Sequence, residues 1–197
     1  MICPELRAVW DGIELADSLV VNPHKWLGAQ FDCSAHFLRD PGLLTGTLAM
    51  SPDYLKTHGV EGEHVDFSDW SIPLGRRFRA LKLWFLLRHH GLESLRAMIR
   101  DHIAWSHALH DRLAADPRFE IATPPMLSLF TFRLAGGDDA AQLALLQRIN
   151  DDGRIYLTQT RIDDRLALRF QAGSMATTAA DVGQAGDVLS ELAVVPV

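Results

Sequence analysis

The stretch Ser18–Gly28, SLVVNPHKWLG, carries the residues of this chain best suited to covalent chemistry. An apolar run ends in Asn22, Pro23 and His24, and the next residue is Lys25. An amine that attacks a carbonyl must first lose its proton, and free lysine, with a pKa of ~10.4, is almost fully charged at neutral pH. Enclosure by an apolar wall or a neighbouring cation lowers that value. Leu19–Val21, Trp26 and Leu27 are candidate wall residues, and His24 is a polar neighbour. Pro23 fixes its own φ and biases Asn22 toward extended geometry, so the exit from the strand is tightly defined. On pattern alone two roles stay open for Lys25: a nucleophilic amine, or a cation snorkelling at a strand end.

A second cluster is GRRFR, Gly75–Arg79. The pattern predicts a helix from Arg76 to about His90, RRFRALKLWFLLRHH, apolar on most sides and hence largely buried, with Gly91 placed to stop it. Arginines at a helix start oppose the helix dipole. They are easier to understand if an anion such as a phosphate shares the helix N-terminus. Pairing with Asp66 or Asp69 is the other reading. The histidines at 89, 90, 102, 107 and 110 read as helix-face residues, because no carboxylate or cysteine ligands accompany them, and no metal site is expected.

The elements that must position these groups fall into two parts. DSLVV and CSAHFL read as short buried strands on either side of the lysine. Thr47–Trp70 reads as a long polar connection of the kind that forms lids or binding loops. Beyond the GRRFR helix, a second helix runs from about Leu92 to Ala115, ahead of Pro117. FEIA, LSLFTFRL, IYLTQT and RLALRF are strand-like, and DDAAQLALLQRINDDG is a helix with an Asp cap and Gly153 after its end. A last helix begins near TTAAD, where Thr178 and Asp181 have capping-box spacing. This second part predicts a small α+β domain with an antiparallel sheet. The first third has too few strands to close a sheet alone and reads as the end of a larger α/β domain.

Composition narrows the function classes. With 48% apolar residues among 197, a packed core is expected rather than disorder. A net charge of −6 argues against a nucleic-acid partner. No run approaches a membrane span, and the N-terminus, charged early, lacks the apolar core of a signal peptide. The two cysteines, Cys3 and Cys33, have no metal-ligand spacing, so the expected setting is cytoplasmic and reducing.

Taken together, ADSLVVNPHKW, FDCSAHFLRD, PDYLK and WSIPLGRRFRALKLWFLLRHHG closely resemble the pyridoxal-phosphate-dependent group II decarboxylases, in the branch that acts on aromatic L-amino acids. The resemblance runs from ICPEL to at least LRF, nearly the entire chain. It implies an α/β protein of the PLP-dependent transferase fold type I. Residues 1–82 would be the C-terminal part of the cofactor-binding large domain, and residues 83–197 a small C-terminal α+β domain. It also implies a homodimer with active sites at the subunit interface.

By that resemblance Lys25 holds pyridoxal 5'-phosphate as an internal aldimine. Asn22 and His24 match positions beside the cofactor phosphate, and Gly75 and Arg76 are placed at the cofactor too. Tyr54, in SPDYLK, matches the loop tyrosine that protonates the substrate's α-carbon after carbon dioxide leaves. Related aminotransferases use an arginine placed like Arg169 to grip the substrate carboxylate, a grip that a decarboxylase has reason to avoid, so a structural role is expected for Arg169. Members of the family are much longer. A missing upstream part would hold the aspartate for the pyridine nitrogen, the histidine that stacks on the ring and most of the phosphate cradle. The chain is therefore expected to be truncated, or to be completed by a second chain. Decarboxylases of glutamate, histidine or cysteine-derived acids, and a non-catalytic dimerising remnant, are the alternatives.

Overall fold

The computed structural model describes residues 2–49 and 65–193. Two compact units divide the chain, Met1–Gly91 and Leu92–Val197. The sequence places the division between residues 82 and 83, inside what proves to be an unbroken helix. The first compact unit ends at Gly91, whose φ of 75° ends that helix.

In the first unit, two 3-10 segments, Pro4–Trp10 and Ile13–Leu15, lead into strand β1, Ser18–Val21. It pairs antiparallel with β2, Ala35–Leu38, in a register that sets Ser18 opposite Leu38 and Val21 opposite Ala35. Both strands lie where the apolar runs predict, but they are not buried: Val20 is 54% exposed and Phe37 56%. Two strands cover each other's edges and not their faces, and the described residues bring no second layer against them. Helix α1, Pro41–Leu48, follows. Asp40 caps it by accepting from the Gly42 N–H at 2.8 Å, and Pro41 sits in the first turn, where a missing N–H costs nothing. This helix extends into the start of the stretch read as connection. The 3-10 turn Phe67–Trp70 is capped in the same manner by Asp66, which accepts from the Ser68 N–H at 2.9 Å.

Helix α2 spans Ala80–His90, so Arg76 and Arg77 do not open a helix as expected. They lie in a non-helical stretch after Pro73 and Gly75, ahead of the helix start at Ala80. Nor is α2 largely buried. Leu86 is its one buried residue, while Trp84 and Phe85 are more than half exposed, again for want of an apolar layer among the described residues.

The second unit has its own core. Helix α3, Leu92–Ala114, buries Leu95, Ile99, His102, Ser106, Leu109 and Leu113, a single stripe at helical spacing. Strands β3 (Phe119–Met126), β4 (Leu129–Leu134), β5 (Thr158–Ile162) and β6 (Arg165–Gln171) form an antiparallel sheet in the order β3-β4-β6-β5. Phe130, Phe132 and Leu168 on this sheet pack with Leu109 and Leu113 of α3, Leu145 and Ile149 of α4 (Asp139–Asp152) and Leu189 of α5 (Ala179–Leu192). The start and stop signals act as their chemistry predicts. Asp138 accepts from the Ala141 N–H, Gly153 ends α4 at φ 79°, and Thr178 with Asp181 closes a reciprocal capping box. One buried polar side chain completes the sheet. Gln142 accepts from the Leu134 N–H at 2.8 Å and donates to the Leu134 carbonyl at 3.1 Å, standing in for a strand partner at the end of β4.

Candidate functional site around Lys25

The 22–34 loop joins β1 to β2, and Asn22, His24 and Lys25 all sit on its outgoing arm. Local hydrogen bonds shape that arm into a tight turn. The Lys25 N–H donates to the Asn22 carbonyl at 3.0 Å, the Gly28 N–H to the Lys25 carbonyl at 3.0 Å, and the Ala29 N–H to the Pro23 carbonyl at 3.0 Å. Gly28 takes φ 75°, a value that an L side chain resists. Pro23 and Ala29 turn inward and are buried. Among the described residues, however, no wall encloses the amine. Lys25 is exposed, and Trp26 and Leu27 are half-buried beside it. A turn whose buried residues are Pro23 and Ala29 points the intervening side chains away from its interior. The Lys25 amine makes no hydrogen bond or ion pair among the described residues.

The return arm holds the outgoing arm in place. The His24 N–H donates to the Cys33 carbonyl at 3.2 Å, beyond the last pair of the strand ladder, Val21 with Ala35. The half-buried His24 ring engages the same residue twice: Nδ1 lies 2.7 Å from the Cys33 carbonyl and 3.2 Å from the Cys33 N–H. A hydrogen on Nδ1 is donated to the carbonyl, and a bare Nδ1 accepts from the N–H. In either form Nε2 stays outside these bonds. As the second tautomer, or as the imidazolium, it can donate to an anion. Phe31 meets the ring edge-on at 5.0 Å between centroids. The Ser34 hydroxyl donates to the Asn22 side-chain oxygen, which leaves the Asn22 amide hydrogens to be offered elsewhere.

Gly75 and Arg76 are exposed on the stretch before α2, and neither Arg76 nor Arg77 makes an ion pair with Asp66, Asp69 or any other described residue. This stretch is tied to the lysine loop at one end by groups that sequence reading missed. Arg79 donates through Nε to the Asp32 carboxylate at 3.0 Å, and its carbonyl accepts from the Cys33 thiol at 3.7 Å. The Lys82 amine donates to the Asp32 carbonyl at 3.1 Å and the Gln30 carbonyl at 3.4 Å. The Asp32 carboxyl is held below the usual carboxylate range, first by a hydrogen bond from its own backbone and then by the Arg79 guanidinium. FDCS and the third arginine of GRRFR were visible in the sequence as motifs, but nothing local pairs residues so far apart. Tyr54 lies outside the described residues.

Chemically, the lysine loop offers an exposed amine and an amide and an imidazole with donors to spare, and the stretch before α2 offers two arginines without carboxylate partners among the described residues. That donor set fits a small molecule bearing an aldehyde and a phosphate. In the second unit, Arg169 donates to the Gln171 side chain and lines a cleft of about 300 Å³ with Thr158, Thr177 and Asp181.

Comparison with known proteins sets this geometry in a class. The pyridoxal-dependent decarboxylase conserved domain matches residues 1–135, and the chain belongs to that family. It is 45% identical over 193 residues to aromatic-L-amino-acid decarboxylase of Mus musculus, covering 98% of this chain and 40% of that protein. It is 46% identical over 181 residues to the Drosophila melanogaster protein of the same name, covering 92% of this chain and 35% of that one. A solved Oryza sativa TDC with PLP and tryptamine superposes with a TM-score of 0.89 at 36% identity, over 97% of this chain and 41% of that one. Catharanthus roseus tryptophan decarboxylase in complex with L-tryptophan gives 0.85 at 37% identity, with the same coverage. The fold is therefore that of fold type I PLP enzymes. The chain spans about two fifths of the length of the mouse protein. No helix among the described residues is long and apolar enough to cross a membrane.

Proposed function

We propose that this chain is part of a pyridoxal 5'-phosphate-dependent decarboxylase that converts an aromatic L-amino acid to its amine and carbon dioxide. The observation that carries the reading is the Lys25 turn: an unengaged amine flanked by Asn22 and His24, in a chain 45% identical to aromatic-L-amino-acid decarboxylase. Bound pyridoxal phosphate supplies a carbonyl that captures amines and an electron sink for the carbon that loses carbon dioxide. Lys25 holds the cofactor covalently. Asn22, His24 through Nε2, Gly75 through its backbone and Arg76 are the candidate partners of its phosphate. Tyr54 is proposed to deliver a proton to the substrate's α-carbon, a step that needs a hydroxyl in reach and water kept out.

In this reading the first unit belongs to the cofactor-binding domain and the second is the small C-terminal domain. The working protein is a homodimer. Neither cysteine forms a disulfide, which suits the proposed cytoplasmic setting. The exposed apolar faces of β1, β2 and α2 favour a second reading, in which the chain acts only by associating with another polypeptide. Adding pyridoxal phosphate separates the two. A visible absorption band that Lys25→Ala abolishes supports the enzyme. A folded chain that associates and gives no band supports the alternative.

A further inference from the structure

We propose that Asp32 and Arg79 are positioning residues that hold the lysine loop and the Arg76 stretch together, and so set the phosphate preference of the Lys25 site. The inference rests on the reading of Lys25 as the cofactor's lysine. Asp32 and Cys33 lie on the return arm, and Cys33 is the residue that grips the His24 backbone and ring. Arg79 stands three residues after Arg76, and its side chain and carbonyl both bind that return arm, through Asp32 at 3.0 Å and Cys33 at 3.7 Å. Lys82, one turn into α2, adds two bonds to the carbonyls of residues 30 and 32. A continuous hydrogen-bonded path thus runs from His24 through Cys33 and Asp32 to Arg79. The Asp32–Arg79 bond is the one charged link in it. Lys82 hydrogen-bonds backbone carbonyls, so its two bonds do not depend on the Asp32 side chain, whereas the charged link to Arg79 does. Arg79 is thereby spent on positioning, while Arg76 and Arg77 remain without described partners.

The test compares pyridoxal phosphate with pyridoxal, which keeps the aldehyde and lacks the phosphate. Each is reduced onto the full chain with borohydride, and the adduct on Lys25 is measured by peptide mapping. The parent should label Lys25 with a clear preference for the phosphorylated compound. Asp32→Ala and Arg79→Ala should reduce that preference by about threefold or more, the scale of a partly exposed charged hydrogen bond. Labelling by pyridoxal should be unchanged, because the amine itself is untouched. Asp32→Glu should keep most of the preference, and the exchange Asp32→Arg with Arg79→Asp should recover part of it, with circular dichroism reporting that each variant is folded. A folded Asp32→Ala chain with the parent's preference would overturn the inference, as would an exchange variant that folds and recovers nothing. A parent that does not label Lys25 at all would instead overturn the underlying reading of the lysine, and the inference with it.

Discussion

Replacing Gln142 by Met should be among the costliest single changes in the second unit, although it keeps the side chain's length and adds apolar character. Gln142 is 1% exposed, and its amide makes three hydrogen bonds: from the Leu134 N–H at 2.8 Å, and to the carbonyls of Leu134 at 3.1 Å and Gly137 at 3.2 Å. Methionine satisfies none of them. Strand β6 offers no replacement, because its pairing with β4 ends at Phe132 opposite Leu168. Each bond is worth about 1 kcal/mol net, and a buried N–H left without a partner costs roughly 1–3 kcal/mol. The apolar gain of the thioether offsets about 1 kcal/mol of this. The expected loss is therefore roughly 2–4 kcal/mol, or about 10–25 °C in the melting temperature of a unit this size. Urea unfolding of the full chain, followed by Trp fluorescence and far-ultraviolet circular dichroism, measures it. A loss below about 0.5 kcal/mol would refute the argument that this amide completes the sheet.

Three further outcomes follow from the same physics. Burial holds the His102 imidazole below the ordinary histidine value, against the opposing pull of Asp101 and the Thr177 backbone. The unfolded chain therefore takes up this proton at a higher pH than the folded one, so stability should fall as pH drops through about 6.5 and level off below the folded value. His102→Gln should flatten that part of a stability–pH curve, and an unchanged slope would count against it. Thr178→Ala removes the cap of α5 and should cost about 1 kcal/mol in chemical denaturation, whereas Thr178→Ser should cost little. In the proposed decarboxylase, Tyr54→Phe should retain cofactor and substrate binding and lose amine production. Turnover at the parent rate would return Tyr54 to the status of an ordinary loop aromatic.

Much of the second unit was legible because its signals are local. Asp138 and Gly153 bound α4, and Thr178 with Asp181 starts α5, each through a bond within three or four residues of sequence. The four strands follow from strand-like runs, FEIA, LSLFTFRL, IYLTQT and RLALRF, the last two with alternation. The first unit was harder to read for the same reason. Apolar runs located β1, β2 and α2, but burial depends on what lies against a face, which composition does not reveal; hence Val20, Phe37 and Trp84 were misread as interior. The start of α2 was misplaced because the helical pattern of RRFRALK runs on past the point where Arg79 is pulled toward Asp32. Lys25 stood out through its neighbours in NPHKW. The groups that fix its loop did not, since Asp32 and Arg79 are 47 residues apart and meet only in the fold.

The central claim is that Lys25 is the lysine that holds the cofactor. Three lysines are available, at positions 25, 56 and 82. Lys82 is already committed to the carbonyls of Gln30 and Asp32, and Lys25 is unengaged among the described residues. Borohydride reduction of the protein in the presence of pyridoxal phosphate, followed by peptide mapping, tests the assignment most directly. One reduced adduct on the peptide containing Asn22–Gly28, lost together with amine production in Lys25→Ala, is the predicted result. An adduct on Lys56 or Lys82, or undiminished amine production by Lys25→Ala, would contradict it.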